Sequence, residues 1–512
     1  MATADNARFI RNWYELASIK IGFNFASSQA AANSGLKWFP CNKGGGNRKW
    51  YGNQLDMIDW QYNGERIKKF KGAIVRNEEC YFLPTVAWNM ISFSGTSFRY
   101  FPAGFVLNNA SNGFPYQQDL YGALSYFNSN LFNYLADIIN PTTNLSNGVV
   151  GKLPDLIPAI DKQDIRNLAK DNVAISRTDW DAHETSWDFK ENELLRIAKA
   201  EGTGSIERAL VCYTSEWESK FNQLHENEED LNRQFIEIYG LQDELGPDVP
   251  LDEITILQAG EITHVKDETE YGGGHYVWNY DNIIKQFISY ALGCMMGRYR
   301  LDRPGLHIAY PNPSEEDIAP YTYNGAKIEI DDDAIIPILG RDCFFDDNAY
   351  NRVVKFISDV FGADNLTENL NFVEKCLGKT LEDYLQKDFW KDHKKMYQNR
   401  PIYWLFSSKK GAFQALVYMH RMNPYTVEHV RTKYLLKHID DLKNRISRDS
   451  ERAAQLTKQE RSNLAKMQKD LDECIEYHDR LHVVADGQIR FDLDDGVVAN
   501  YAKFGDVLAK IK

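Results

Sequence analysis

The chain has 512 residues, 43% of them apolar and 26% charged, which is enough core for two to four domains and too apolar for a disordered chain. No apolar run reaches the ~18 to 20 residues of a membrane-spanning helix, and MATADNARFIRNWYEL lacks the apolar core of a secretion signal. The net charge of −14 opposes a nucleic-acid partner only until it is resolved: residues 1–160 carry 14 basic and 10 acidic side chains, residues 161–512 carry 45 and 63.

Residues 1–160 read as a β-rich domain, with aromatic and β-branched clusters (KWFP, RKWYG, DMIDWQY, SFRYFPAGFVL) separated by Gly, Asn and Pro. Within it, 122–139 shows helical spacing (Leu124, Phe127, Leu131, Leu135, Ile138), and Asn140-Pro141 predicts its end. Residues 161–310 form a helical spacer region, with an acidic, Gly-rich loop at 246–275 and an apolar helix at 280–300. Residues 311–425 are expected to be a mixed α/β domain. It begins with an exposed acidic linker, 311–335, and returns to helix over 348–395. Two apolar strands, 401–408 and 413–420, flank the turn Lys409-Lys410-Gly411. Residues 426–512 carry Leu436, Ile439, Leu442 and Ile446, then Leu456, Leu464, Met467, Leu471 and Ile475. That spacing, interrupted near Arg448–Arg452, predicts an antiparallel coiled-coil hairpin and a tail, with one bent surface helix as the alternative. The expected fold class is thus α+β and multi-domain.

Motifs for catalysis are sparse. There is no GxxxxGK[ST] loop, no GxSxG elbow and no HExxH. Seven single cysteines without a CxxC pair oppose a disulfide framework or a zinc ribbon and fit a reducing cytoplasm. His478 and His482 are spaced i, i+4 but lack a ligand set, so packing accounts for them. Gly44–Gly46 and Gly272–Gly274 read as flexible turns rather than phosphate loops. Asp331–Asp333 read as a solvated acidic face rather than a Mg²⁺ site. Asn423-Pro424-Tyr425 reads as a turn. No catalytic residue and no metal ligand are expected in this chain.

Basic and aromatic residues interleave in KWFPCNKGGGNRKWYGN, residues 37–53. Lys and Arg supply charge toward phosphates, Arg and Asn match base edges, and Gly allows close backbone approach. Residues 37–76 hold nine basic and three acidic side chains. The candidate DNA-binding residues are Lys43, Arg48, Lys49, Trp50, Asn53, Arg66, Lys68, Lys69 and Lys71, joined by Arg99 in SFRYFP. Lys152 is a further phosphate candidate. A solvated basic surface with Trp38 and Trp50 in the core explains the same pattern without DNA. A second basic segment, 387–445, holds 13 basic against 5 acidic residues.

Longer strings carry a resemblance: TADNARFIRNWYEL (3–16), KWFPCNKGGGNRKWYGN (37–53), NPTTNLSNGVVGKLP (140–154), DWDAHETSWDF (179–189), NEEDLNRQFIEIYGLQDEL (227–245), FISYALGCMMGRYRLD (287–302) and DFWKDHKKMYQNRPIYWLFSSKKGAFQALVYMHR (388–421). In these the chain resembles the C-terminal half of PglX-type adenine-specific DNA methyltransferases, the modification component of BREX phage-defence systems. The resemblance implies a target-recognition domain at 1–160, spacer regions, and a coiled-coil end that helps clamp the duplex. It also implies that S-adenosylmethionine and the Asn-Pro-Pro-Tyr catalytic motif belong to a preceding half. This chain alone is then without transferase activity. DWDAHETSWDF is expected to be a packing element.

Double-stranded DNA is therefore the expected partner, with other BREX proteins and acidic DNA mimics from phage as further ones. The rival reading is a protein-interaction scaffold that docks BREX components through the acidic 161–386 region and touches DNA weakly. A nuclease is the third class, and no Asp…Glu-x-Lys arrangement supports it.

Overall fold

A computed structural model describes residues 1–91, 96–115, 119–140, 142, 144–154, 162–266 and 274–511. It shows a mixed α/β protein with several small sheets. The chain divides into two compact units. The first comprises Met1–Trp13, Ile19–Phe189 and Val211–Asn279, and the second Tyr14–Ser18, Lys190–Leu210 and Tyr280–Lys512.

The first unit is built on two sheets. One has the strand order Ile10–Asn12, Asp56–Asp59, Trp38–Asn42, Val106–Leu107, antiparallel except for the last pair. Phe39 and Ile58 are cross-strand partners. They sit in a core with Phe9, Trp60, Ile67, Phe82 and Val106, all at most 1% exposed. The other sheet is antiparallel, with Thr85–Asn89 between Phe98–Phe101 and Ser111–Phe114. Helices Gln163–Asp181 and most of Ile206–Tyr239 belong to the same unit, which therefore continues past residue 160.

Three expectations change here. The helix predicted over 122–139 is two helices, Leu120–Phe127 and Asn130–Ile139. The break has a cause: the Asn128 amide accepts from Phe98 N and donates to Phe98 O, as a neighbouring strand would, and Ser129 caps the second helix by accepting from Phe132 N. The loop predicted at 246–275 contains the antiparallel strands Ile262–Lys266 and Gly274–Trp278, packed through Tyr276 on Phe221 and Trp278 on Tyr213. Gly272 and Gly273 lie outside the described residues, as do Pro141 and residues 155–161 at the expected 160/161 boundary. The third change falls in the second unit.

That unit has a three-stranded antiparallel sheet, Ile335–Pro337, Gln414–Tyr418 and Tyr403–Ser407, in which Leu405 faces Leu416 and Trp404 faces Val417. The hairpin read at 401–420 is there. Around the sheet lie Tyr280–Met295 and the helices Ala349–Phe361, Leu366–Leu377, Leu381–Lys387 and Phe389–Met396. The supposed linker 311–335 contains the small hairpin Tyr321–Tyr323 with Ala326–Ile328. Its acidic end is solvated only at Asp332. Asp331 is 3% exposed and bonds Arg352 at 2.5 Å, and Asp333 meets Lys433 at 2.9 Å. These basic partners, 21 and 100 residues away in sequence, make burial possible. Asp332, between them, is exposed, and the three carboxylates lie within 4.8 Å of one another.

Helices Leu436–Glu451 and Lys458–Asp486 pack on each other across a short connection at 452–457. A π-helical turn, Val430–Leu435, precedes them. All seven cysteines are free thiols. Among the described residues, no helix is long and apolar enough to cross a membrane.

Candidate nucleic-acid interface

The predicted basic residues divide into a buried set and an exposed set, both in the first unit. Arg48, Lys49, Trp50 and Arg99 are 4%, 6%, 1% and 0% exposed. Their donor groups serve the interior. Arg48 donates to Asp179 (2.7 Å), to Ser176 O and to Tyr51 O, and lies 5.2 Å over the Trp180 ring. Lys49 Nζ and Trp50 Nε1 each donate to one oxygen of Glu228, both at 2.7 Å. Trp50 N donates to Phe98 O and Tyr100 N to Trp50 O, so the loop is stitched to the strand that carries Arg99. Arg99 donates to Asn89 Oδ1 at 2.7 Å and to Arg48 O at 3.2 Å. A base-reading role needs an exposed donor, and these four side chains are braces in the fold.

What they brace is the loop 43–53. Trp50 and Asn53 adopt positive φ (66° and 54°), as do Gly44, Gly45 and Gly52 (108°, 145° and 126°). The loop is pinned from inside: Asn89 donates to Gly45 O at 2.7 Å and Asn53 to Gly46 O at 2.8 Å. Gly44–Gly46, read from sequence as a flexible turn, is thereby held. Lys43 and Asn53 stay half-exposed on its rim, with Lys43 Nζ 3.4 Å from Asp56. Asn42 and Gln54 are buried.

The second set is exposed. Arg66, Lys68, Lys69 and Lys71 lie on and after the helix Gln61–Lys68, together with Arg76. Arg66 pairs with Asp59, Lys69 with Glu65, and Lys68 with Glu78 at 2.6 Å. The Lys69 and Lys68 pairs are exposed on both sides and exchange readily for another anion, whereas Arg66 answers the buried carboxylate of Asp59. Strand Asp56–Asp59 runs between the two sets: Lys43 pairs with its first residue and Arg66 with its last.

Sequence reading missed the acidic braces. Asp179 lies in DWDAHETSWDF and accepts from Leu257 N as well as Arg48. The same string supplies His183, which bonds Glu261 at 2.6 Å. Burial opposes the His183 charge, but Glu261 outweighs it and holds the pKa up at about 9. Trp187 packs on Phe23 and Phe105, and Trp13 Nε1 donates to Thr185 O. This string is a packing element, as read. The signal for the rest was present only as acidic residues inside strings that carry the resemblance.

In the second basic segment, Lys387, Lys391, Arg431 and Lys433 are ion-paired and Arg421 is buried on backbone carbonyls.

The described residues do not fit S-adenosylmethionine. Among them, parallel pairing is confined to Cys41–Asn42 with Val106–Leu107 and two isolated bridges, so there is no parallel strand–turn–helix unit to receive such a cofactor.

No protein-family model matches the chain. Two curated proteins are similar to it over nearly its whole length. It is 35% identical over 531 aligned residues to the adenine-specific methyltransferase BrxX of Escherichia coli O9:H4 (strain HS), covering 98% of this chain and 42% of that protein. It is 36% identical over 529 to the adenine-specific methyltransferase PglX of Lacticaseibacillus casei (strain Zhang), covering 98% and 41%. The chain spans about two fifths of the length of the curated relatives it matches, and over that length their likeness supports a PglX-type family for it.

Proposed function

We propose that this chain is the DNA-recognition portion of a site-specific adenine-N6 methyltransferase acting in BREX-type phage defence. The observation that carries the reading is the exposed basic set on a braced β scaffold: Lys43 and Asn53 on a fixed loop, and Arg66, Lys68, Lys69, Lys71 and Arg76 beyond the strand that joins them. Arg48, Lys49, Trp50 and Arg99 hold that loop in shape. An adenine methyltransferase must read base edges and also turn its target base out of the duplex, which requires a rigid reading face against phosphates held in register. The paired helices 436–451 and 458–486 act in this reading as a coiled-coil arm beside the duplex. The methyl donor and catalytic residues come from outside this chain. Other BREX proteins dock on the acidic surface, and acidic DNA mimics from phage compete for the basic one.

The test is binding of a fluorescent duplex to the full chain at two salt concentrations. The affinity is expected to fall steeply with salt, with a slope of about −0.9 for each phosphate contacted. Charge reversal at Lys68, Lys69 and Lys71 is expected to weaken binding and flatten the slope. Unchanged affinity in that variant removes the assigned surface. Methylation of DNA by this chain alone with labelled S-adenosylmethionine overturns the division of labour.

A further inference from the structure

The loop Lys43–Asn47 has features that bracing does not explain. The carbonyls of Gly45, Gly46 and Arg48 are each bonded within the protein, by Asn89, by Asn53 and by Arg99. The N–H groups of Gly44, Gly45 and Gly46 have no acceptor among the described residues, and Gly45 and Gly46 are exposed. Exposed backbone amides without a protein acceptor are open to an anion, and the carbonyls that would repel it at Gly45 and Gly46 are already bonded. The glycines differ in what requires them. At Gly45, with φ +145°, a Cβ would lie 2.6 Å from Asn53 Cγ. At Gly46 the φ is ordinary and a Cβ would meet nothing within 4 Å. The fold itself does not need a glycine there; a ligand approaching the backbone would.

The second observation lies beneath the loop. Arg99 is fully buried, its Nε has no hydrogen-bond partner, and no carboxylate pairs with it among the described residues. Burial and the like charge of Arg48 push its pKa down to about 10, with no acid to oppose them. Arg48 and Lys49 beside it each have a buried carboxylate; among the described residues Arg99 has none. A buried cation without a counter-ion is costly unless an anion completes it.

We propose that the Lys43–Asn47 loop over Arg99 is a phosphate cradle: the amides of Gly44–Gly46 receive the oxygens of one phosphodiester, Lys43 flanks it, and the Arg99 charge lies behind it. The source of that phosphate, a DNA backbone, rests on the function proposed above; the anion site itself does not.

The test is Gly46→Val, which puts a branched side chain into the open space before the amides. It is expected to leave thermal unfolding unchanged, because the fold has room for it. Affinity for a duplex is expected to fall about tenfold, with a salt slope smaller by about 0.9. If Gly46→Val binds DNA as the unsubstituted chain does while charge reversal at Lys68 and Lys69 weakens binding, the cradle is overturned and the DNA reading stands. If the unsubstituted chain does not bind DNA, the DNA reading fails, and inorganic phosphate at constant ionic strength decides the cradle. A rise in the unfolding midpoint with phosphate, absent in Gly46→Val, retains an anion site for a free phosphate. No rise overturns it.

Discussion

Removing Glu228 tests the claim that the basic loop is held by buried charge. Glu228 is 4% exposed and accepts at 2.7 Å from Lys49 Nζ on one oxygen and from Trp50 Nε1 on the other. Glu228→Ala strands a buried ammonium, at a cost of about 3–5 kcal/mol, and leaves an indole N–H unsatisfied, worth about 1 kcal/mol more. Glu253, 4.0 Å from Lys49 and half in solvent, recovers part of this. A net loss of about 4 kcal/mol in a unit of about 250 residues lowers its unfolding midpoint by about 8–16 °C. Calorimetry on the full chain measures this as a shift of the first unit's transition. The double variant Lys49→Met/Glu228→Leu removes both charges and is expected to recover most of the loss. A midpoint within about 2 °C of the unsubstituted chain for Glu228→Ala, or a double variant worse than either single one, refutes the reasoning.

His183 is held charged by Glu261, so its folded pKa, about 9, exceeds its ordinary 6.5. The stability it adds is complete below about pH 6.5 and lost as pH rises toward 9; urea midpoints measured across that range should decline, and His183→Gln should flatten the decline. Ser129→Ala removes the cap on Asn130–Ile139 and a buried bond to Tyr126 O, and should cost about 1–2 kcal/mol in the same denaturation assay. Gly45→Ala should destabilise by about 1–2 kcal/mol, because its φ is left-handed and Asn53 must leave Gly46 O, and amide exchange should quicken across residues 43–53.

The sequence made legible what is decided locally. Tyr403–Ser407 and Gln414–Tyr418 stand out as short apolar runs around a Gly turn, and Leu436–Glu451 stands out by its period. Burial of charge is not decided locally. Arg48-Lys49 and Lys68-Lys69 are the same chemistry in the same basic stretch, yet the first pair is buried and the second exposed. The difference lies in where the carboxylates come from. Asp179 and Glu228 are 131 and 179 residues downstream, whereas Glu65 is four residues from Lys69. Asp331 reads as solvated for the same reason, its cation Arg352 being 21 residues downstream. Asn128 was hidden inside a helical pattern because its partner is the edge of the strand at Phe98, 30 residues upstream.

The remote origin of the braces sets an order of assembly. During synthesis the loop 43–53 leaves the ribosome long before Asp179, and longer still before Glu228 and Thr255, which bonds Lys49 N. At ~5–20 residues per second, roughly 10–40 seconds pass between the two events. Over that interval Arg48, Lys49 and Trp50 have no place to bury their polar groups, and contacts of such sequence separation are slow to form. A nascent chain therefore acquires the shaped loop only when the helix Ile206–Tyr239 docks, so the loop gains its final form late and as one event with the rest of its unit.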